Sequence, residues 1–167
     1  MVANINNLSL KILVDADACP VKDDIIEIAK DFAVKVILIA SINHFSTHAY
    51  EGVEFIYVDA HSQAADLAIC NKVTAGDLVV TQDYGLAALV LSKRGIPISP
   101  RGKIFSEQNI EELLEQRHIS AKLRRGGVRT KGPSPFTQED RKVFRETLRR
   151  FLASHHKDNH SDLRSEF

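Results

Sequence analysis

An α/β fold built on a mostly parallel, five-stranded sheet is predicted for this chain by three features. Short apolar runs rich in valine and isoleucine fall at residues 11–14, 35–40, 53–58, 78–81 and 96–98, each the length of a buried strand. Between them lie segments whose apolar residues recur at helical spacing, so strand and helix alternate as parallel pairing requires. Acids follow several of these runs, and in open α/β sheets ligands bind beyond the carboxyl ends of the strands.

The first run, Lys11-Ile12-Leu13-Val14, ends in Asp15-Ala16-Asp17-Ala18-Cys19-Pro20. Proline suits the first turn of a helix, and Ile25, Ile26, Ile28, Ala29 and Phe32 give the following segment, 21–34, an apolar stripe. Residues 35–40 form the second strand. A polar loop over 41–52 carries His44, His48 and Tyr50, and the third strand, 53–58, ends in Asp59 with His61 two residues on. Ser62 is the expected N-cap of a helix through 73, with Asp66 in its early turns and Ala65, Leu67, Ala68 and Ile69 on its apolar surface.

After the turn at Gly76-Asp77 comes the fourth strand, 78–81, and Gln82-Asp83 opens a helix that stops at Gly95. Pro97 assigns the fifth strand to an edge, where a missing N–H is harmless. Beyond the basic turn Ser99-Pro100-Arg101-Gly102-Lys103, Ser106 caps a helix over 107–118 with Ile110, Leu113 and Leu114 inward. The α/β domain is thus expected over 10–120, after an N-terminal extension of 1–9. A basic loop and final helix follow over 121–153: glycine, proline, Arg124, Arg125, Arg129 and Lys131 mark the loop, and Thr137 caps the helix to about 152. Residues 154–167, rich in histidine, serine and charge, are expected to be a disordered tail.

A chain of 167 residues, 44% hydrophobic, has room for one core and an appendage. Its formal net charge of zero conceals a division: 12 acids against 7 bases over 1–100, and 10 acids against 15 bases over 101–167. The basic half is suited to a polyanion. Cys19 and Cys70 have neither CxxC spacing nor a secretory context, which predicts a reducing cytoplasm, and they form no zinc-ligand pattern with the histidines. No apolar stretch approaches the ~18 residues of a membrane span.

If strands one and four are neighbours, Asp15, Asp17 and Asp83 converge at one carboxyl edge, and Asp66 faces it from the start of its helix. Two carboxylates about 4 Å apart at an effective dielectric near 20 repel by roughly 4 kcal/mol. Hard oxygen donors in such a group call for Mg²⁺ or Mn²⁺. Each acid also has an ordinary reading as a helix cap or first-turn charge, but ordinary caps have no need to share an edge. His44, His48 and His61 read as solvated loop histidines, and Cys19 lacks a paired base.

The run Val14-Asp15-Ala16-Asp17-Ala18-Cys19-Pro20, then Ala64-Ala65-Asp66-Leu67-Ala68-Ile69, Gly76-Asp77-Leu78-Val79-Val80-Thr81-Gln82-Asp83, Pro100-Arg101-Gly102 and Gly132-Pro133-Ser134-Pro135-Phe136 resembles the YaiI/YqxD family of uncharacterised bacterial proteins over about residues 10–150. That family is in turn similar to PIN-like domains, metal-dependent ribonucleases with a parallel sheet and an acidic site. The resemblance implies a PIN-like three-layer fold with a C-terminal helical, basic extension, and Mg²⁺- or Mn²⁺-dependent hydrolysis of RNA phosphodiesters, with DNA as a second candidate. Asp15 matches the PIN acid ending strand one, Asp66 the acid at a helix start, and Asp83 the acid after a Thr-x-Asp step begun by Thr81. These three are the expected catalytic acids and, with Asp17, the expected metal ligands. A further helical acid of PIN nucleases has no counterpart here, so Asp17 or Asp59 stands as its substitute.

Arg101, Lys103, Arg124, Arg125, Arg129 and Lys131 are the expected contacts to a nucleic-acid backbone. Two other readings compete. One is a non-catalytic nucleic-acid binding module on the same fold. The other is a phosphatase of the haloacid-dehalogenase type, to whose acid pair Asp15-x-Asp17 is similar, although Cys19 stands where that motif prefers threonine.

Overall fold

Valine, isoleucine and leucine, which suit a pleated and buried surface, build five strands: β1 (Lys11–Asp15), β2 (Lys35–Ser41), β3 (Val53–Val58), β4 (Leu78–Val80) and β5 (Ile96–Ile98). The computed structural model of the protein describes residues 9–47, 49–61 and 63–162. All five strands are parallel, in the order β3-β2-β1-β4-β5, so β1 lies between β2 and β4 at the point where the strand order reverses. Pro97 sits on the edge strand β5, opposite Val79.

Successive residues of a strand face opposite sides, and here each side has its own helices. Ile12, Val14, Leu38 and Val80 pack with Ile25 and Ile28 of α1 (Lys22–Asp31) and with Phe144, Leu148 and Leu152 of α5 (Gln138–Asp162). Leu13, Ile37, Ile39 and Val79 face Ile69 of α2 (Ala64–Lys72) and Leu86 and Val90 of α3 (Tyr84–Ser92). A fourth helix, α4 (Glu107–Arg125), lies outside α3 through Ala87, Phe105 and Ile110. The result is a three-layer α/β arrangement. Burial of a side chain such as Phe144 or Leu148 contributes about 1.5–3 kcal/mol, so α5 belongs to the main core instead of hanging from it. Gly102 makes that docking possible: with φ of +86°, its missing side chain leaves room for Val143 and Phe144 of α5, whose backbone atoms lie 3.0 Å from where a Cβ would be.

Several boundaries differ from expectation. Pro20 precedes the helix, with Val21 as N-cap, and α1 ends at Asp31 because Ala33 takes a positive φ of 54° and the Val34 N–H turns back to the Ala29 carbonyl. Helix α4 continues past 118 to Arg125, since no glycine intervenes before Gly126 and Lys122, Arg124 and Arg125 favour a helix C-terminus. Part of the expected basic loop is therefore helix. Thr137 does cap α5, exchanging bonds with Asp140, but the helix runs on through Asp162, so residues 154–162 of the expected disordered tail are helical. A helix already nucleated by core packing extends at the cost of one residue per hydrogen bond, and this stretch holds no breaker. The expectations for 1–8, for Ser62 as a cap and for 163–167 lie outside the described residues.

Candidate active site

Where β1 ends, Asp15 meets the residue that follows β4. The buried Thr81 hydroxyl donates to Asp15 Oδ2 at 3.2 Å and accepts from the Asp83 N–H at 3.0 Å, coupling the two acids through one oxygen. Asp83 is the N-cap of α3, its Oδ1 accepting from the N–H groups of Gly85 at 2.8 Å and Leu86 at 3.2 Å. Gln82 Nε2 donates to the Ala18 carbonyl at 2.9 Å and ties the loop after β4 to the loop after β1. Asp17 turns the other way. Its two oxygens accept from the Ser41 N–H at 2.9 and 3.1 Å, and His44 Nδ1 stands 3.2 Å from Oδ1.

Burial pushes the Asp15 carboxyl up to about 6; the Thr81 hydrogen bond opposes this, and the charges of Asp66, Asp17 and Asp83 add to it. Asp66, in the first turn of α2, is raised by burial and then by Asp83. The structure therefore brings Asp15, Asp17, Asp66 and Asp83 into one field. Asp59 is not brought in: it follows β3, two strands or about 10 Å from β1, and is exposed. Cys19 is buried, which pushes its thiol up to about 11 and makes it a poor nucleophile. His44 supports Asp17, His61 is exposed, and His48 lies outside the described residues.

Among the described residues no group of three or more His, Cys, Asp or Glu side chains is placed so that it could hold a metal ion. In chemistry alone, the acids are hard oxygen donors of the kind that Mg²⁺ and Mn²⁺ take. Asp15 and Asp83 each commit one oxygen to a hydrogen bond and keep the other, and Asp66 makes no hydrogen bond or ion pair among the described residues. Mg²⁺ ordinarily takes only one or two carboxylates, retains water and draws its other ligands from substrate phosphates.

The sequence offers no signal for Arg117. It reaches back from α4 to place Nη1 3.6 Å from Asp83 Oδ1, an approach created by the packing of α4 on α3. Of the expected backbone contacts, Arg101 is engaged internally: it binds Asp140 at 2.7 Å, donates to Ser134, and lies over Phe136. Arg124 donates to Thr130 Oγ1 at 3.3 Å. Lys103, Arg125, Arg129 and Lys131 are exposed. Arg141, Arg145 and Arg149 of α5 pair with Asp24, Glu27 and Asp31 of α1, which removes them from any free basic face.

Residues 13–154 match the family model DUF188, described as the uncharacterised YaiI/YqxD family. Similar proteins include UPF0178 proteins of Bacillus pumilus, 47% identical over 86% of this chain and 87% of the relative, and of Enterococcus faecalis, 46% identical over 83% and 95%. Another, from Bacillus anthracis, is 48% identical over 86% of this chain and 99% of its own length. No solved structure matches the chain. The acid edge, the Thr81 step and the basic turn all fall within the matched span, and the chain belongs to the YaiI/YqxD family, the UPF0178 proteins.

Proposed function

We propose that the protein is a Mg²⁺- or Mn²⁺-dependent nuclease of PIN-like type, hydrolysing RNA phosphodiesters at the carboxyl edge of its sheet. The observation that supports this most is Asp15, a half-buried carboxyl raised to about 6, within the field of Asp66, Asp17 and Asp83 at a topological switch point. Asp15, Asp66 and Asp83 would hold the ion, which supplies Lewis-acid stabilisation of charge on the phosphodiester. Thr81 fixes the Asp15 carboxylate by donating to Oδ2 and holds the Asp83 backbone in register. Asp17 acts as a tether between the β1 and β2 loops. Arg117 can leave Asp83 for the phosphate, because its side chain is largely exposed at 57%. Lys103, Arg125, Arg129 and Lys131 offer charge to the flanking backbone, with RNA preferred and DNA the second candidate.

A non-catalytic nucleic-acid binding module is the second reading, favoured by the capping duty of Asp83 and by the engagement of both Asp17 oxygens. The same engagement of Asp17 disfavours the phosphatase reading, which needs that carboxyl free to donate a proton. The test is cleavage of single-stranded RNA by the purified protein with Mn²⁺ and with EDTA. Cleavage that needs Mn²⁺ and disappears in Asp15→Asn supports the nuclease. RNA binding without cleavage in the parent selects the binding module, and cleavage unchanged in Asp15→Asn rejects the site.

A further inference from the structure

At the other rim of the acid edge stands an exposed aromatic ring with a built support. The short 3₁₀ turn Ile42–His44 follows β2 directly, and His44 contacts both Asp17 and Ser41. The next residue, Phe45, is 63% exposed, yet its ring lies 4.9 Å from that of Tyr57. Tyr57 stacks on Phe55 at 6.0 Å with planes 12° apart, and Phe55 stacks on Tyr50 at 6.2 Å and 22°. The Tyr57 hydroxyl donates to the Ser46 carbonyl at 3.2 Å and accepts from the Ser46 N–H at 3.4 Å. The ring beside Phe45 is thus bonded to the backbone of the residue after it, which holds Phe45 in place while leaving one face open.

We propose that Phe45, backed by Tyr57, is a stacking site for an unpaired base of single-stranded RNA whose backbone crosses the acid edge toward Arg117. The inference rests on reading that edge as a phosphodiester site and adds the substrate class: a single strand, because a duplex keeps its bases stacked on one another. Three features select this occupant. An exposed aromatic offers a π-face that any base can use, independent of sequence. Its support is already ordered, so little freedom is lost on stacking. Along the carboxyl edge the strand order sets Phe45, which follows the turn after β2, and Arg117, which approaches Asp83 after β4, on either side of β1 and its Asp15.

The chain contains no tryptophan, so Phe45→Trp installs a single indole reporter. Titration with a short oligouridylate in EDTA should quench its emission, whereas an abasic strand of equal length should not. Phe45→Ala should bind the oligouridylate about 5- to 150-fold more weakly than the parent, as expected for removal of one base stack. Its affinity for the abasic strand should be unchanged. Equal affinity of Phe45→Ala and parent for oligouridylate, or an unquenched indole, overturns the proposal. So does a parent dimer that Phe45→Ala converts to a monomer with RNA binding intact, since the ring then covers a second copy. Because these measurements exclude metal, quenching without Mn²⁺-dependent cleavage rejects only the nuclease, and cleavage without quenching rejects only the stacking site.

Discussion

On α1, Asp24, Glu27 and Asp31 each face an arginine of α5, whereas at the carboxyl edge of the sheet Asp15 and Asp66 face other acids and Asp83 has one exposed arginine at 3.6 Å. The first set lies along one face of a helix and is matched by Arg141, Arg145 and Arg149, four residues apart on another, so the two helices run side by side in the same direction with their charges in register. Asp24 is buried there, with two guanidinium groups on its oxygens. Arg145 is held further above its usual range by Glu27 and Asp24. The second set comes from a strand end, a first helical turn and a helix cap, and burial with like charge nearby raises the proton affinity of Asp15 and Asp66 instead. The same side chain is an adhesive where the chain provides its counter-charge, and is pushed toward its protonated form where it does not, as at Asp15.

The largest expected effect breaks the paired set. Replacing Arg141 and Arg145 together by alanine leaves Asp24 buried without a partner, at a cost of about 3–5 kcal/mol. For a chain of this length that corresponds to a fall in melting temperature on the order of 10 °C, measurable by differential scanning calorimetry. A change within experimental error would make the seam an ordinary solvated face.

A smaller effect sharpens the other side. Because Asp15 titrates near 6 in the folded protein against 3.8 ordinarily, folding takes up a proton between those values. The charged carboxyl costs stability above pH 6, and that cost disappears as the pH falls toward 4. Asp15→Asn should therefore melt a few degrees above the parent near neutral pH, with the gap closing on acidification. Added Mn²⁺ should stabilise the parent according to RT ln(1 + [M]/Kd) and leave Asp15→Asn nearly unmoved. Equal Mn²⁺ shifts in both proteins would place any ion elsewhere.

The smallest effect concerns the exposed bases. Each phosphate of a single strand that a base no longer neutralises lowers the slope of log affinity against log salt by about 0.7. Replacing Arg125 and Arg129 by alanine should flatten that slope in a filter-binding titration, while Arg101→Ala should lower the melting temperature and leave the slope alone. The opposite assignment would mean that Arg101, and not the exposed pair, meets the backbone.

Much of the site is legible because Asp15, Asp66 and Asp83 follow from strand ends and helix starts, positions that local patterning reveals. The coupling by Thr81 is half legible: the Thr-x-Asp step marks the residue, but its bond to Asp15 crosses between strands. Asp17 reads as a ligand in the sequence, and the structure adds a bond the sequence does not announce, since nothing near it along the chain points to the Ser41 N–H that both its oxygens accept from. The basic extension misleads for a similar reason. Arg141, Arg145 and Arg149 of its helix look like a free face, and only the docking of α5 on α1 pairs them, while Arg125 and Arg129 of its first part stay exposed.

By itself, the sequence determined the alternation of strands and helices, the edge position forced by Pro97, and the presence of acids where parallel strands end. Periodicity and backbone chemistry act over a few residues, so they can be read from a few residues. The tertiary structure decided which acids meet which cations: Arg145 with Asp24 and Glu27, Arg117 with Asp83, and Asp15 with none among the described residues. Electrostatic energy depends on separation and burial, and both are set by contacts between residues about a hundred positions apart, such as Arg145 and Asp24.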